Sequence, residues 1–104
     1  MDKRAVWSTF RARPGKEAEV EAFLADCCAR IGAEQGTTTF FVLKLADGRY
    51  ATFDTFRDDE AFQDHLHGPT AATVKARTHE LFEGELMILQ ASVLDAKPLE
   101  GQKP

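Results

Sequence analysis

Alternating apolar and polar positions mark the start of the chain as a β-strand. Residues 4–13 change side with a period of two, so Trp7 and Ser8 point to opposite faces. Pro14 and Gly15 follow and stop the strand. The pattern therefore predicts a first strand over residues 4–13.

A helical stripe follows directly. Apolar residues recur at the 3.6-residue spacing of an amphipathic helix over residues 16–32. The stripe consists of Val20, Phe23, Leu24, Cys27 and Ile31. We expect Gly32 or Gly36 to end this helix in the left-handed conformation.

Two β-branched and aromatic runs come next, over residues 37–46 and 49–56. Asp47-Gly48 lies between them, and this arrangement predicts a β-hairpin. Both runs carry apolar residues on both faces, which is typical of a sheet that is covered on both sides.

Two helices and a last strand complete the pattern. The predicted ranges are 58–67 and 70–83 for the helices and 86–94 for the strand. Asp58 or Asp59 is the expected cap of the first helix, and Gly84 is expected to end the second. We expect one domain over residues 1–97 and a flexible tail over residues 98–104.

This order of elements predicts an α+β fold of the ferredoxin-like βαββαβ type, with a four-stranded antiparallel sheet. Right-handed crossovers place the helices on one face of the sheet. The other face is also apolar but has no cover within the chain. A second copy packing sheet to sheet would bury it. We therefore expect a homodimer through the sheet faces, forming an α/β barrel.

Composition narrows the function classes. A formal net charge of −4 argues against nucleic-acid binding, and no apolar run reaches the ~20 residues of a membrane span. The N-terminal segment lacks the apolar core of a secretory signal. Cys27 and Cys28 are adjacent, which disfavours a disulfide between them, and there is no zinc-binding cysteine pattern. We expect a cytoplasmic protein.

Three stretches resemble a known family. They are RARPGKEAEVEAFL, the hairpin FFVLKLADGRYATFDTF and the helical DDEAFQDHLHGPTAATVKARTHELF. The chain up to about residue 99 is similar to the antibiotic biosynthesis monooxygenase family of dimeric α/β barrels. The resemblance implies a pocket inside each monomer, between helices and sheet, and an aromatic substrate that itself activates oxygen. The family also includes quinol oxygenases, haem-degrading enzymes and members with no assigned reaction.

Six residues are candidates for a site. His65 suits a general base near neutral pH, although a histidine at a helix C-terminus is also stabilised by the helix dipole. Asp54 lies mid-strand among apolar residues, so it must be paired, hydrogen-bonded or in a wet cavity. The candidates for substrate binding are Trp7, Ser8, Tyr50 and Thr52. Trp7 also suits core or dimer packing, and the polar line Tyr50, Thr52 and Asp54 also suits structural bonds across the sheet.

Metal and cofactor sites have little support. His65 and His67 do not share a helix face, and His79 stands apart. The haem-degrading relatives carry Asn, Trp and a ligand His where this chain has Ser8, His65 and Lys75. Gly-rich phosphate loops are also missing from the sequence. We expect neither a metal nor a cofactor.

The leading hypothesis is a cofactor-independent monooxygenase acting on a small aromatic, phenolic or quinol-type molecule. His65 would be the base, and Asp54 would orient it or accept a hydrogen bond. The alternative is a non-catalytic dimer that binds a small molecule or serves in a stress response, because fold alone does not determine function.

Overall fold

The secondary structure follows the predicted order. A computed structural model describes residues 1–97, and the predicted flexible tail lies outside the described residues. The elements are β1 Arg4–Ala12, α1 Glu17–Ile31, β2 Thr37–Lys44, β3 Tyr50–Phe56, α2 Asp59–Leu66, α3 Pro69–Leu81 and β4 Phe82–Ser92.

The strands form one antiparallel sheet in the order β2-β3-β1-β4. This is the predicted ferredoxin-like arrangement, so the fold prediction is confirmed. The central strands β1 and β3 pair in a register that sets Val6 opposite Asp54 and Ser8 opposite Thr52. Directly opposed residues share a face of the sheet. These four side chains therefore lie on the same side.

Helix α1 forms as its apolar stripe predicts. All five stripe residues are buried, and Glu17 and Glu19 lie in the first turn, where the helix dipole favours acidic side chains. The hairpin is also as predicted: Gly48 adopts a φ of 89°, which the turn between β2 and β3 requires. Asp58 caps α2, since its Oδ1 accepts a hydrogen bond of 2.8 Å from the backbone N–H of Ala61.

The boundary between α3 and β4 differs from the prediction. Helix α3 ends at Leu81, and β4 begins at Phe82, so Gly84 does not end the helix but lies inside the strand. There it has a φ of 73°, where the pairing of β1 with β4 shifts register. Glycine is needed because this strand irregularity requires positive φ.

Gly36 also has a different role from the predicted helix end. Helix α1 ends at Ile31, and the following Gly32 keeps a right-handed conformation with a φ of −55°. Gly36 lies against α2, where a Cβ placed on it would come within 2.3 Å of the Ala61 Cβ. The glycine therefore allows α2 to approach the start of β2 closely.

All three helices cover one face of the sheet and leave a cavity between two core clusters. The larger cluster joins α1 to β1 and includes Phe10, Phe23 and Phe82. The smaller one packs Phe56 against Phe62 of α2 at a ring-centroid distance of 5.3 Å. Residues of both clusters line the cavity.

The opposite face of the sheet is apolar, and no element within residues 1–97 covers it. Phe41, Met87 and Leu89 point to it, with 51%, 57% and 55% of their surfaces exposed. Trp7 lies between them, opposite Phe53 and Leu89 in the register. We call this surface the open face. Within residues 1–97, no helix has the length and apolar character required to cross a membrane.

Replacing Gly36 with alanine should destabilise the protein. The added methyl group would overlap the Ala61 side chain and force β2 and α2 apart, at a cost of about 1–3 kcal/mol in the free energy of unfolding. Urea unfolding measures this cost. Gln35→Ala, at an exposed neighbour, is the control.

The double variant Gly36→Ala with Ala61→Gly tests the cause. If the overlap is responsible, removing the Ala61 methyl group recovers part of the loss, because the two substitutions couple. Additive losses would show that the close approach does not account for the effect.

Candidate active site

The cavity between the helices and the sheet has a volume of about 360 Å³. Most of its wall is apolar and comes from all four strands and all three helices. Phe10, Phe23, Phe40 and Phe82 supply aromatic rings, and Val74 of α3 contributes to the opposite side. Thr70 and Leu81 are the fully buried residues of α3, because the rest of its inner face borders a cavity and not a solid core.

Asp54 is the carboxyl group on the wall of this cavity. It is on central strand β3, between Val6 of β1 and Phe40 of β2 in the register, so apolar neighbours flank it on both sides. Only 4% of its surface is exposed, and its Oδ1 has no hydrogen-bond partner among the described residues. A carboxyl in such surroundings needs a charged or ligand partner.

His65 of α2 supplies a partner that is charged when its ring is protonated. Its Nε2 lies 3.3 Å from Asp54 Oδ2, and its ring packs on Phe56 at a centroid distance of 5.1 Å. The other ring nitrogen, Nδ1, lies 2.7 Å from Oε1 of Glu34 in the loop after α1. The imidazole is thus held between two carboxyl groups, one on the cavity wall and one outside it.

The environment shifts the pKa values of both central groups. Burial raises the pKa of Asp54 and outweighs the opposing effect of His65. Burial alone would lower the pKa of His65, but its contacts with Asp54 and Glu34 together raise it above the ordinary value of 6.5. A base with a pKa near the working pH is suited to proton transfer.

Four of the six predicted site residues meet at this cavity. Ser8, Thr52, Asp54 and His65 all line it. Trp7 lies on the open face, and Tyr50 is buried with its hydroxyl donating to Glu21 Oε2 over 2.6 Å. Neither Trp7 nor Tyr50 lines this cavity.

Several residues in or beside the cavity were not among the predictions. Glu34, outside the cavity, carries no local signal, because its role depends on a contact with His65, 31 positions away in sequence. Thr70, His67 and Lys75 line the cavity, and Lys75 is the position compared with the haem ligand of relatives. Helical spacing on α3 could have indicated Thr70, since it lies one turn before Val74 on the same face of the helix.

The three acid–base groups are arranged in a line and do not converge on a point. Glu34 and Asp54 contact opposite nitrogens of the same ring. Among residues 1–97, no group of three His, Cys, Asp or Glu side chains has the geometry to hold a metal ion. The arrangement is suited to holding and moving a proton.

The raised pKa of His65 makes stability depend on pH. A group whose folded pKa is raised stabilises the fold below its unfolded pKa, and that contribution is lost as pH rises through the folded value. The raised pKa of Asp54 likewise adds stability that is lost as the pH rises through the folded pKa of this carboxyl group. The free energy of unfolding should therefore fall as pH rises above about 6.5.

Asp54→Asn should weaken this fall, because one of the two carboxyl groups that favour protonated His65 is lost. Urea unfolding over a pH series measures it. Asp64→Asn, at an exposed position beside His65, should retain the wild-type slope. Identical slopes in wild type and Asp54→Asn would contradict the assignment.

Comparison with solved structures shows a common fold. NE2512, a protein of unknown function from Nitrosomonas europaea, is 36% identical, with a TM-score of 0.89 over 97% of this chain and 98% of that one. Rv0793 from Mycobacterium tuberculosis is 24% identical, with a TM-score of 0.85 over 92% and 99%. A candidate antibiotic biosynthesis monooxygenase from Caulobacter crescentus CB15 is 20% identical, with a TM-score of 0.79 over 90% and 92%.

Comparison with curated proteins found no match. Residues 5–77 match the family model described as antibiotic biosynthesis monooxygenase. This span includes β1 to β3, α1, α2 and most of α3, and therefore every acid–base group of the cavity. The chain belongs to the antibiotic biosynthesis monooxygenase family.

Proposed function

We propose that the protein is a cofactor-independent monooxygenase that acts on a small aromatic substrate of the phenolic or quinol type. The observation that carries this proposal is the largely apolar cavity with a histidine–carboxyl pair on its wall. The substrate enters the cavity, gives up a proton to His65 and then reacts with O₂.

The size and lining of the cavity support an aromatic substrate. A volume of about 360 Å³ is within the range of small-molecule sites. Phe10, Phe23, Phe40 and Phe82 offer ring faces and edges to a planar molecule. Ser8, Thr52 and Thr70 supply the few polar groups that fix the orientation of such a ligand.

Proton abstraction is assigned to His65. When the ring is neutral, the nearby Glu34 carboxylate favours the proton on Nδ1, so the lone pair is on Nε2. Nε2 is the nitrogen near Asp54, on the cavity side of the ring. Asp54 accepts a hydrogen bond from the substrate and stabilises the imidazolium that forms.

The oxidation itself belongs to the substrate and O₂. In a phenolic substrate whose keto tautomer has an activated methylene carbon, such as an anthrone, that carbon loses a proton to His65, and the carbanion adds O₂ by electron transfer and radical recombination. His65 returns the proton to the resulting peroxide. The O–O bond breaks and the carbon loses its second hydrogen, so one oxygen atom remains as a carbonyl and the other leaves as water. The apolar wall excludes bulk water from these intermediates.

A homodimer through the open face is part of the proposal. Phe41, Met87 and Leu89 form a contiguous apolar surface on a sheet whose other face is already packed. A second copy of the chain, related by a two-fold axis, covers this surface with its own equivalent face. The assembly is then the α/β barrel that the family resemblance implies.

A cytoplasmic location is proposed as well. Cys27 is buried in α1 and Cys28 is exposed beside it, and both are free thiols. Adjacent free thiols suit a reducing compartment, where disulfides are rare.

Oxygen consumption with a panel of hydroquinones and anthrones tests the reaction. We expect turnover in the wild type and a kcat lower by about 10²–10⁴ in His65→Ala, because the general base is lost. His79→Ala, at an exposed position on α3 outside the cavity, should keep wild-type turnover.

The outcomes separate the candidate functions. Equal turnover in His65→Ala and wild type would remove His65 from the reaction. Saturable binding of these compounds without oxygen uptake would favour the non-catalytic binding protein. If no compound binds and none causes oxygen uptake, both candidate functions are contradicted.

Leu89→Lys tests the dimer. We expect the wild type to sediment at twice the 11.6 kDa of the chain and Leu89→Lys to sediment as a monomer, since a buried ammonium would have no partner across the apolar interface. Ala76→Lys, on the exposed side of α3, should remain dimeric. A monomeric wild type at micromolar concentration would disprove the interface.

A further inference from the structure

Glu34 stands on the far side of His65 from the cavity. It does not line the cavity, but it borders a separate outer depression together with Arg57 and Asp64. His65 borders both spaces. A ligand in the cavity therefore meets Asp54 and His65 directly, and Glu34 can act on that ligand only through the imidazole.

The contact between Glu34 and His65 is short and well supported. Glu34 Oε1 lies 2.7 Å from His65 Nδ1 and also accepts a hydrogen bond of 2.8 Å from the Thr37 hydroxyl. The side chains of His65 and Glu34 are only 13% and 22% exposed, so water competes weakly for this contact. Phe56 packs against the imidazole ring and restricts its rotation.

The loop that carries Glu34 is itself anchored at both ends. The Glu34 N–H donates to the Ile31 carbonyl at the end of α1, over 2.8 Å. The Thr37 N–H at the start of β2 donates back to the Glu34 carbonyl, over 3.3 Å. These bonds place the carboxylate beside α2 before any ligand binds, so the contact with His65 is preorganised.

We propose that Glu34 is a positioning residue that acts through His65, holding the proton on Nδ1 and thereby directing the Nε2 lone pair toward the cavity. The role in turnover rests on the proposed function, whereas the effect on the imidazole does not. Without a carboxylate at Nδ1, Asp54 beside Nε2 would favour the tautomer protonated on Nε2, which cannot accept a substrate proton.

The other charged groups near His65 do not contact Nδ1 and so cannot hold its proton as Glu34 does. Asp54 on β3 faces Nε2 and not Nδ1. Arg57, after β3, and Asp64, on α2, share the outer depression but make no hydrogen bond to the ring within the described residues. On the cavity side, Lys75 of α3 and His67 after α2 line the wall, and the His67 Nδ1 is engaged with the Gln63 carbonyl. Among the described residues, only Glu34 contacts Nδ1.

NMR titration of the His65 ring in Glu34→Gln is the primary test. The chain has three histidines, so the spectrum of His65→Gln assigns the signal. We expect a lower His65 pKa in Glu34→Gln than in wild type and a smaller fraction of the Nδ1–H tautomer, because the carboxylate that favours both is gone. Glu60→Gln, at an exposed position on the same helix as His65, should leave both unchanged.

Kinetics supply a readout that a purely structural role would not move. In Glu34→Gln, the acidic limb of the kcat profile should move to lower pH together with the His65 titration. On the plateau above it, kcat should fall by about tenfold or more, since the orienting carboxylate is lost. KM should change little, because Glu34 does not touch the cavity.

Two results would overturn the inference. The first is an unchanged His65 titration and tautomer in Glu34→Gln. The second is a changed titration with an unmoved kcat profile. If wild type turns over none of the compounds, the proposed function fails instead, and the titration alone then decides whether Glu34 controls the imidazole.

Discussion

A single buried carboxyl group on the central strand of the sheet constrains the rest of the structure. Asp54 has apolar neighbours on both adjoining strands, and one of its oxygens is unsatisfied among the described residues. Such a group is costly unless a cation or ligand is close. His65 is the titratable partner beside it, and Gly36 lets α2, which carries His65, lie close against the start of β2. The missing side chain at Gly36 thus helps to bring His65 close to Asp54 on the cavity wall.

The cavity is also a cost to the fold. A protein of this size is stabilised by a limited core, and here that core is divided into two clusters with space between them. Filling the space with larger side chains would increase apolar burial, and replacing Asp54 would remove a buried charge. A chain that retains both features gives up stability for a preorganised site, which is the usual relation between stability and function in enzymes.

Local patterns in the sequence predicted most of the fold. The stripe of α1, the Asp-Gly hairpin and the Asp58 cap each depend on residues a few positions apart, and all three form as expected. The start of β4 was missed, because Leu81 and Phe82 are large apolar residues that suit a helix and a strand equally well. Only the register of β1 with β4 decides between them. A glycine at the helix end and a glycine at a strand irregularity look the same in sequence.

Part of the site could also be predicted from local features of the sequence. Asp54 stood out because an acidic residue inside an apolar strand needs an explanation, and His65 because histidine titrates near neutral pH. That the two residues meet, and that Glu34 completes the group, follows from tertiary contacts that leave no periodic trace. The sequence left two roles open for Trp7, since an aromatic residue on a strand suits a pocket or an interface, and the positions of the helices determine which face of the sheet borders the cavity.

The two apolar surfaces of the sheet are mechanically connected through β4. Leu86 and Ile88 line the cavity on one side of this edge strand, and Met87 and Leu89 lie on the open face on the other. Ile88 is still 54% exposed, so α3 covers this part of the cavity wall only partly. An edge strand paired on one side is held less firmly than a central one. Whatever packs on Met87 and Leu89 therefore also supports the strand that closes the cavity. In the proposed dimer, association and the exclusion of water from the reaction depend on the same strand.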